Sequence, residues 1–308
     1  MADTDRVPMV IQPPPFTGAV PPASAAAGPH GATGATDTGA TDTGATAESR
    51  PAPPAAARAV IGVDIGGSGI KAAPVDVATG RLLGDRVRLE TPTPATPDAV
   101  AATVAAVVGQ VLEEPGGTSV DAATPIGLTL PAVVRSGVVK TAANIDRGWI
   151  GVHAVDLFGP ALGRPVVVVN DADAAGVAEV RFGAGRGVAG VVLMVTLGTG
   201  IGSALFSGGT LVPNTELGHL PLHGGDAEDY AASSVRKAEG LSMKQYAKRL
   251  HHYLALVERL LWPDLIIVGG GISKRADEFL PHIQLDTPVV PAGLRNEAGI
   301  VGAALLAS

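Results

Sequence analysis

The chain has 308 residues, a length that suits about two domains, and its 22 basic against 29 acidic side chains leave a formal charge of −7. That balance argues against non-specific binding to nucleic acid or a membrane surface by the chain as a whole, and an aromatic content of 3 % is too low for a base-stacking platform. The absence of cysteine excludes disulfides, thiolate metal sites and cysteine catalysis, and it leaves the redox compartment open.

Residues 1–58 read as a disordered extension rich in alanine, glycine, proline and threonine. It holds Pro13-Pro14-Pro15 and the unit Asp37-Thr38-Gly39-Ala40-Thr41, repeated at once from Asp42. Such a composition has almost no large apolar side chain to bury, so nothing offsets the entropy of ordering it. It also lacks the basic start and apolar stretch of a secretory signal. Beyond it, Ala59–Ile65 is an apolar, β-branched run stopped by Gly66-Gly67. Lys71–Asp76 and Arg81–Thr91 continue as strands around the turn Ala78-Thr79-Gly80. A helix is expected over 97–114: Thr96 caps it, Pro97 opens it, and Val100, Val104, Val107, Val108 and Val111 recur at helical spacing. Pro125–Leu130 and Pro165–Val169 read as strands, and Ala172–Phe182 as a helix. Val191–Leu197, Ile201–Phe206 and Thr210–Pro213 form a second three-strand set. The charge-free stretch Val188–Ser207 is too interrupted by glycine to be a membrane span. Ser242–Leu261 is a long helix opened by a capping box of Ser242 and Gln245. Leu265–Val268 is a strand from which Gly269-Gly270-Gly271 opens another helix. Hairpins followed by β/α crossovers occur twice, which predicts two α/β lobes, each with a mixed sheet.

Five short segments carry chemistry. In Asp64-Ile65-Gly66-Gly67-Ser68-Gly69-Ile70-Lys71 a carboxylate ends a strand, glycines make a tight turn, and a hydroxyl and a lysine follow. Backbone N–H groups in such a turn approach a phosphate closely, Asp64 can hold Mg²⁺ through water, and Lys71 can neutralise a transferring phosphoryl group; an ordinary hairpin turn is the alternative. Gly198-Thr199-Gly200-Ile201-Gly202 repeats that logic, and the pair suggests a phosphate chain clamped between two lobes. Gly269-Gly270-Gly271 suits an anion or the edge of a nucleotide at a helix N-terminus. Val166 to Val169 deliver Asn170 and Asp171 to a strand end, where ligands of open α/β sheets bind. Asp171 is a candidate proton acceptor and Asn170 a candidate sugar ligand, with helix capping as the competing role for both. Glu216, His219 and Glu228 supply donors and acceptors that suit a polyhydroxylated ligand. His219 and His223 alone make a weak case for zinc. Gly185-Arg186-Gly187-Val188-Ala189-Gly190 has the spacing of a dinucleotide fingerprint but lies between a helix and a strand, the reverse of what that motif needs. There is no P-loop. Arg236, Lys237, Lys244, Lys248 and Arg249 cluster in a chain that is otherwise acidic, either as a solvated helix face or as a track for a long polyanion.

Taken in order and spacing, these segments resemble the ROK family of sugar kinases. Thr141 to Asp146, Trp149-Ile150-Gly151, Gly240-Leu241-Ser242, Val257 to Leu260 and Pro291 to Gly302 bring the chain closest to the polyphosphate glucokinase branch. The resemblance runs from about Ala59 to Ala307. It implies an actin-like, ribonuclease-H-like fold of two lobes around a cleft: a small α/β lobe of residues 59–170 with 293–308, and a large one of 171–292. It implies a cytoplasmic homodimer that uses Mg²⁺ and phosphorylates the 6-hydroxyl of glucose from inorganic polyphosphate, ATP or both. Asp171 matches the family's base, and Asn170, Glu216, His219 and Glu228 its sugar ligands, with Asn144 an addition. Gly66, Gly67, Ser68, Gly69, Lys71, Gly198, Thr199, Gly200, Gly202 and Gly269 to Gly271 match the phosphate loops. Many ROK proteins carry a cysteine-rich zinc motif where this chain has Leu220 to Ala227; the polyphosphate branch lacks it too. An ATP-only hexose kinase and a sugar-sensing ROK protein without catalysis are the alternatives. An actin-like ATPase would not need the Glu216–His219–Glu228 cluster.

Overall fold

The computed structural model describes residues 58–114, 120–143 and 145–308. The expectations for residues 1–57 and for Asn144 lie outside them. The first sheet comes from β1 (Ala59–Gly66), β2 (Gly69–Asp76), β3 (Arg81–Leu82) and β4 (Val87–Leu89), then, after helix α1 (Pro97–Glu113), from β5 (Ile126–Leu130). A ribbon of β6 (Val134–Arg135) and β7 (Val138–Val139) and helix α2 (Ala154–Leu162) lead to its last strand, β8 (Val166–Asn170). Helix α3 (Asp171–Phe182) follows directly. The second sheet starts with β9 (Val191–Leu197), β10 (Ile201–Ser207) and β11 (Thr210–Val212). The ribbon of β12 (Pro221–Leu222) and β13 (Gly225–Asp226), the short helices α4 (Ala227–Ala231) and α5 (Ser233–Ala238), and the long α6 (Met243–Leu261) intervene. It closes with β14 (Leu265–Gly269) and β15 (Val289–Pro291) before the helix α7 (Ala298–Leu306).

The strand orders are β3-β2-β1-β5-β8, with β4 also on β2, and β11-β10-β9-β14-β15. Each sheet opens on an antiparallel hairpin, β1–β2 or β9–β10, and continues through parallel neighbours. The two mixed sheets are the two lobes that the sequence predicts. Val60, Ile61, Val63 and Ile65 of β1 are all buried, as a strand covered on both faces requires.

Local chemistry sets the helix ends. Thr96 caps α1, and all five valines of its predicted stripe are buried. The capping box of α6 is complete: Gln245 N–H donates to Ser242 Oγ, and Ser242 N–H to Gln245 Oε1 at 2.9 Å. Two expectations need correction, and two helices were not foreseen. The strand predicted over 81–91 breaks at Gly84-Asp85, and its two pieces, β3 and β4, pair with opposite ends of β2. The segment after Gly269-Gly270-Gly271 is a 3-10 turn, Gly271–Glu278, kinked at Arg275, and not an α-helix. Helices α2 and α7 had no place in the pattern. Helix α7 is apolar on every side and buried for most of its length, so it has no amphipathic period to read.

Helices α3 and α7 share a core with both sheets. Val60, Ala73 and Val75 of the first, Val192, Met194 and Phe206 of the second, and Ala178, Ile300, Val301 and Ala304 belong to one buried cluster. Glycines allow this closeness. A Cβ on Gly62 would lie 1.9 Å from the Ile300 carbonyl oxygen, one on Gly127 1.9 Å from that of Ala303, and one on Gly302 1.7 Å from that of Ala174. Backbone cannot retreat as a side chain can. Gly302→Ala is therefore expected at the costly end of overpacking, about 3 kcal/mol, which lowers Tm by roughly 6–12 °C for a chain of this size. Gly109→Ala in α1 meets nothing within 4 Å and should be neutral or stabilising by about 0.5–1 kcal/mol. Equal melting temperatures for the two variants would show that the α3–α7 contact is loose.

Candidate active site

The carboxyl ends of three parallel strands line up: Asp64 of β1 pairs with Thr129 of β5, and Leu130 of β5 with Asn170 of β8. On the other side of β1, Asp64 pairs with Lys71 of β2, whose Nζ donates to its Oδ2 at 2.9 Å. Thr129 is fully buried and completes the fixation. Its Oγ1 donates to Asp64 Oδ1 at 3.2 Å and accepts from Ile65 N–H at 3.1 Å. The Gly66–Gly69 turn is tied from outside, because Arg88 donates to the Ser68 carbonyl and Thr91 to that of Gly66.

Asn170 and Asp171 are held differently. Asn170, 8 % exposed, caps α3: its Oδ1 accepts from Ala172 and Asp173 N–H, and its amide donates to the Ala132 carbonyl. Asp171 is the first residue of α3, half-buried, with Oδ1 on the Ala172 N–H at 2.8 Å. Burial is the main cause that pushes its pKa up to about 7; the charges of Asp64 and Glu216 add to it, and the Ala172 N–H opposes it. A carboxylate held this way is basic enough to take a proton near neutrality.

Asp173, 2 % exposed, lies one step further into α3. Its Oδ2 accepts the Asn214 N–H at 2.8 Å, while its Oδ1 is enclosed without a partner. Burial pushes its pKa up to about 7 as well, with the Glu216 and Asp171 charges in support and the Asn214 N–H in opposition. The Asn214 side chain binds both the N–H and the carbonyl of Val134. This links α3, the segment before Glu216 and the β6–β7 ribbon into one frame.

Glu216 follows on the loop after β11, fixed through Ser203, whose Oγ donates to the Thr215 carbonyl and accepts the Leu217 N–H. Burial raises the Glu216 pKa, Glu228 adds to this and His219 opposes it. His219 Nε2 is 3.8 Å from Glu216, and its Nδ1 is 2.8 Å from Asp226 across the β12–β13 ribbon. The Asp226 hydrogen bond raises the imidazole pKa; burial opposes it, and Glu228, Asp226 and Glu216 add smaller pushes upward. Glu228 accepts the Ile201 N–H at 3.0 Å, which binds it to the end of the second glycine turn. Ser234 secures that turn by donating from its N–H to the Gly198 carbonyl and from its hydroxyl to that of Thr199. Gly202 lets β10 approach the start of α3: a Cβ there would lie 3.0 Å from Cβ of Ala172. Gly269 of β14 pairs with Thr196 of β9, so the third glycine run lies beside the second, without the helix N-terminus expected behind it.

The structure thus joins Asp64, Lys71, Asp171, Glu216, His219 and Glu228 through shared contacts or charges, with two glycine turns beside them. Thr129, Arg88, Thr91, Asp173, Ser203 and Ser234 were not among the sequence candidates. Among the described residues no cluster of three or more histidine, aspartate or glutamate side chains is placed to hold a metal by itself. No described helix is long and apolar enough to cross a membrane, and Val188–Ser207 forms the β9–β10 hairpin.

The pattern that defines the ROK family matches residues 60–230. Polyphosphate glucokinase of Mycobacterium tuberculosis is 52 % identical over 245 residues, 79 % of this chain and 89 % of that protein. The Mycobacterium leprae polyphosphate glucokinase is 49 % identical over 79 % of this chain and 73 % of its own length. Among solved structures, the inorganic polyphosphate/ATP-glucomannokinase of Arthrobacter sp. strain KM superposes with a TM-score of 0.78 at 54 % identity, covering 81 % of this chain and 98 % of that one. A ROK glucokinase of Streptomyces griseus, solved with glucose and AMPPNP, gives 0.69 at 27 % identity, over 80 % of this chain and 98 % of that one. Fold, motif order and sequence agree: the chain belongs to the ROK family, as an α/β protein of two lobes, each built on a mixed sheet.

Proposed function

We propose that the protein is a glucokinase that transfers a phosphoryl group from inorganic polyphosphate, ATP or both to the 6-hydroxyl of glucose. The observation that carries this reading is Asp171, a carboxylate at a strand-to-helix junction with its pKa pushed up to about 7 beside Asp64 and Glu216. Glucose would lie among Glu216, His219 and Glu228, with Asn170, whose oxygen is engaged in capping, offering its second amide hydrogen, and with Asn144 as a further ligand. As the 6-oxygen bonds to the terminal phosphorus, its proton passes to Asp171. The bond from that phosphorus to its bridging oxygen breaks, and the shortened chain or ADP departs with the electron pair. Lys71 and the N–H groups of the turns at Gly66–Gly69 and Gly198–Gly202, with Gly269–Gly271 beside them, hold the donor in line and absorb charge.

Asp64 fits a role toward Mg²⁺. Its oxygens already meet Lys71 and Thr129, so contact would run through water, as is usual for an ion that keeps its own waters and binds substrate phosphates. When bound, the ion would neutralise donor charge. The small lobe of 59–170 with 293–308 and the large lobe of 171–292 belong to the same proposal, as do a cytoplasmic location and a homodimer.

The test is formation of glucose 6-phosphate with purified long-chain polyphosphate and with ATP, side by side. Product with polyphosphate is expected. Product with ATP alone would make the protein an ATP-only hexose kinase, and glucose binding without product from either donor would make it a sugar sensor.

A further inference from the structure

A cavity of about 400 Å³ is lined by none of the residues assigned to the active site. Its walls include Tyr230, Lys248, Arg249, His251, His252 and His282. Five of these are basic and no carboxylate lines it, in a chain of net charge −7. Part of the basic cluster read from the sequence is already engaged. Arg236 donates to the Leu241 carbonyl at 3.3 Å. Arg249 is paired with Glu239 and lies 4.8 Å over the Tyr230 ring. Lys248 is exposed and has no ion-pair partner among the described residues, and Lys244 lies one turn earlier on α6, on the same face.

The histidines extend that face into a cavity. His252 Nδ1 is 3.2 Å from Nε2 of His223 and 3.3 Å from the Tyr230 hydroxyl. The Nδ1 of His251 is enclosed with no hydrogen-bond partner. Imidazoles, an ammonium and a guanidinium offer many donors and little to accept with. Such a set suits a ligand that is all acceptor and carries a charge on every unit. Tyr230 is flanked by Arg249 and by His223, whose ring centroid is 4.4 Å away, so it is a poor platform for a stacked nucleobase.

We propose that the cavity lined by Lys248, Arg249, His251, His252 and His282 docks the non-reacting part of an inorganic polyphosphate chain, away from the turns that hold the phosphoryl group in transfer. The role assigned to this dock rests on polyphosphate being a donor; its capacity to bind polyphosphate can be measured without turnover. A chain that touches both places gains affinity from linkage, while ATP and tripolyphosphate are confined to the turns.

The test compares the full-length protein with Lys248→Ala/His282→Ala and with the single exposed change Lys248→Glu. Equilibrium binding of long-chain polyphosphate, without glucose, should weaken about tenfold or more in both, and its logarithmic salt slope should become shallower by about 1 per lost contact. Tripolyphosphate binding and KM for ATP should stay within about twofold. Unchanged polyphosphate affinity in both variants overturns the dock, and so does an equal loss with ATP. If the wild-type protein binds polyphosphate in this way yet transfers nothing from it, the donor reading falls and the dock stands. If it transfers from polyphosphate and both variants bind as wild type, the dock falls and the donor reading stands.

Discussion

Asp171→Asn is expected to bind glucose about as well as the wild-type protein and to turn over roughly 10²–10⁴-fold more slowly, the usual worth of a general base. Asparagine has nearly the same shape, and its carbonyl oxygen can still accept the Ala172 N–H that holds Oδ1 at 2.8 Å. What it lacks is affinity for a proton. Glucose affinity measured by calorimetry, beside turnover with polyphosphate and ATP, separates binding from chemistry. A variant that keeps more than half of normal turnover would remove Asp171 from the reaction.

The second large effect is on pH dependence. With the Asp171 pKa near 7, this carboxyl is mostly protonated at pH 6, and with Asp171 as the proposed proton acceptor kcat/KM there should be about one tenth of its alkaline plateau. Glu216 contributes to that raised value through its negative charge, so Glu216→Gln should move the acid limb to lower pH. A profile flat between pH 6 and 8 would assign the proton elsewhere. The same groups act on stability. Asp171 and Asp173 hold protons more tightly folded than unfolded, so between about pH 4 and 7 the native state binds the extra protons and stability falls as pH rises. His219, with its pKa raised, contributes stability below its unfolded value that is lost as pH climbs through the folded one. Both directions agree, and Tm of the sugar-free protein should decrease from pH 5.5 to pH 8.

Local rules made parts of the site legible. Glycine turns, the Ser242–Gln245 box and the valine stripe of α1 depend on neighbours a few residues apart, and all formed where their spacing placed them. Asn170 and Asp171 satisfied one capping rule between them, and only the fold could tell that Asn170 is the residue that caps α3. Thr129 stands 65 residues from the Asp64 it orients, Ser234 35 from Thr199, and Asp173 41 from Asn214. No period or motif encodes such pairings. Arg249 illustrates the converse error, because Glu239, ten residues away, engages a cation that a one-dimensional charge count leaves free. Helix α7 was missed because residues buried on all sides carry no directional pattern.

The position of α7 also sets an order of assembly. Ile300 and Ala303 back Gly62 and Gly127, yet they are synthesised well over a hundred residues later. At about 5–20 residues per second, β1 and β5 wait on the order of ten seconds or more for their cover. Throughout that interval Val60 and the small side chains beside it face solvent or a chaperone, not a helix. The lobe that leaves the ribosome first is therefore the one completed last, and slow translation late in the message prolongs its exposure more than slow translation early on.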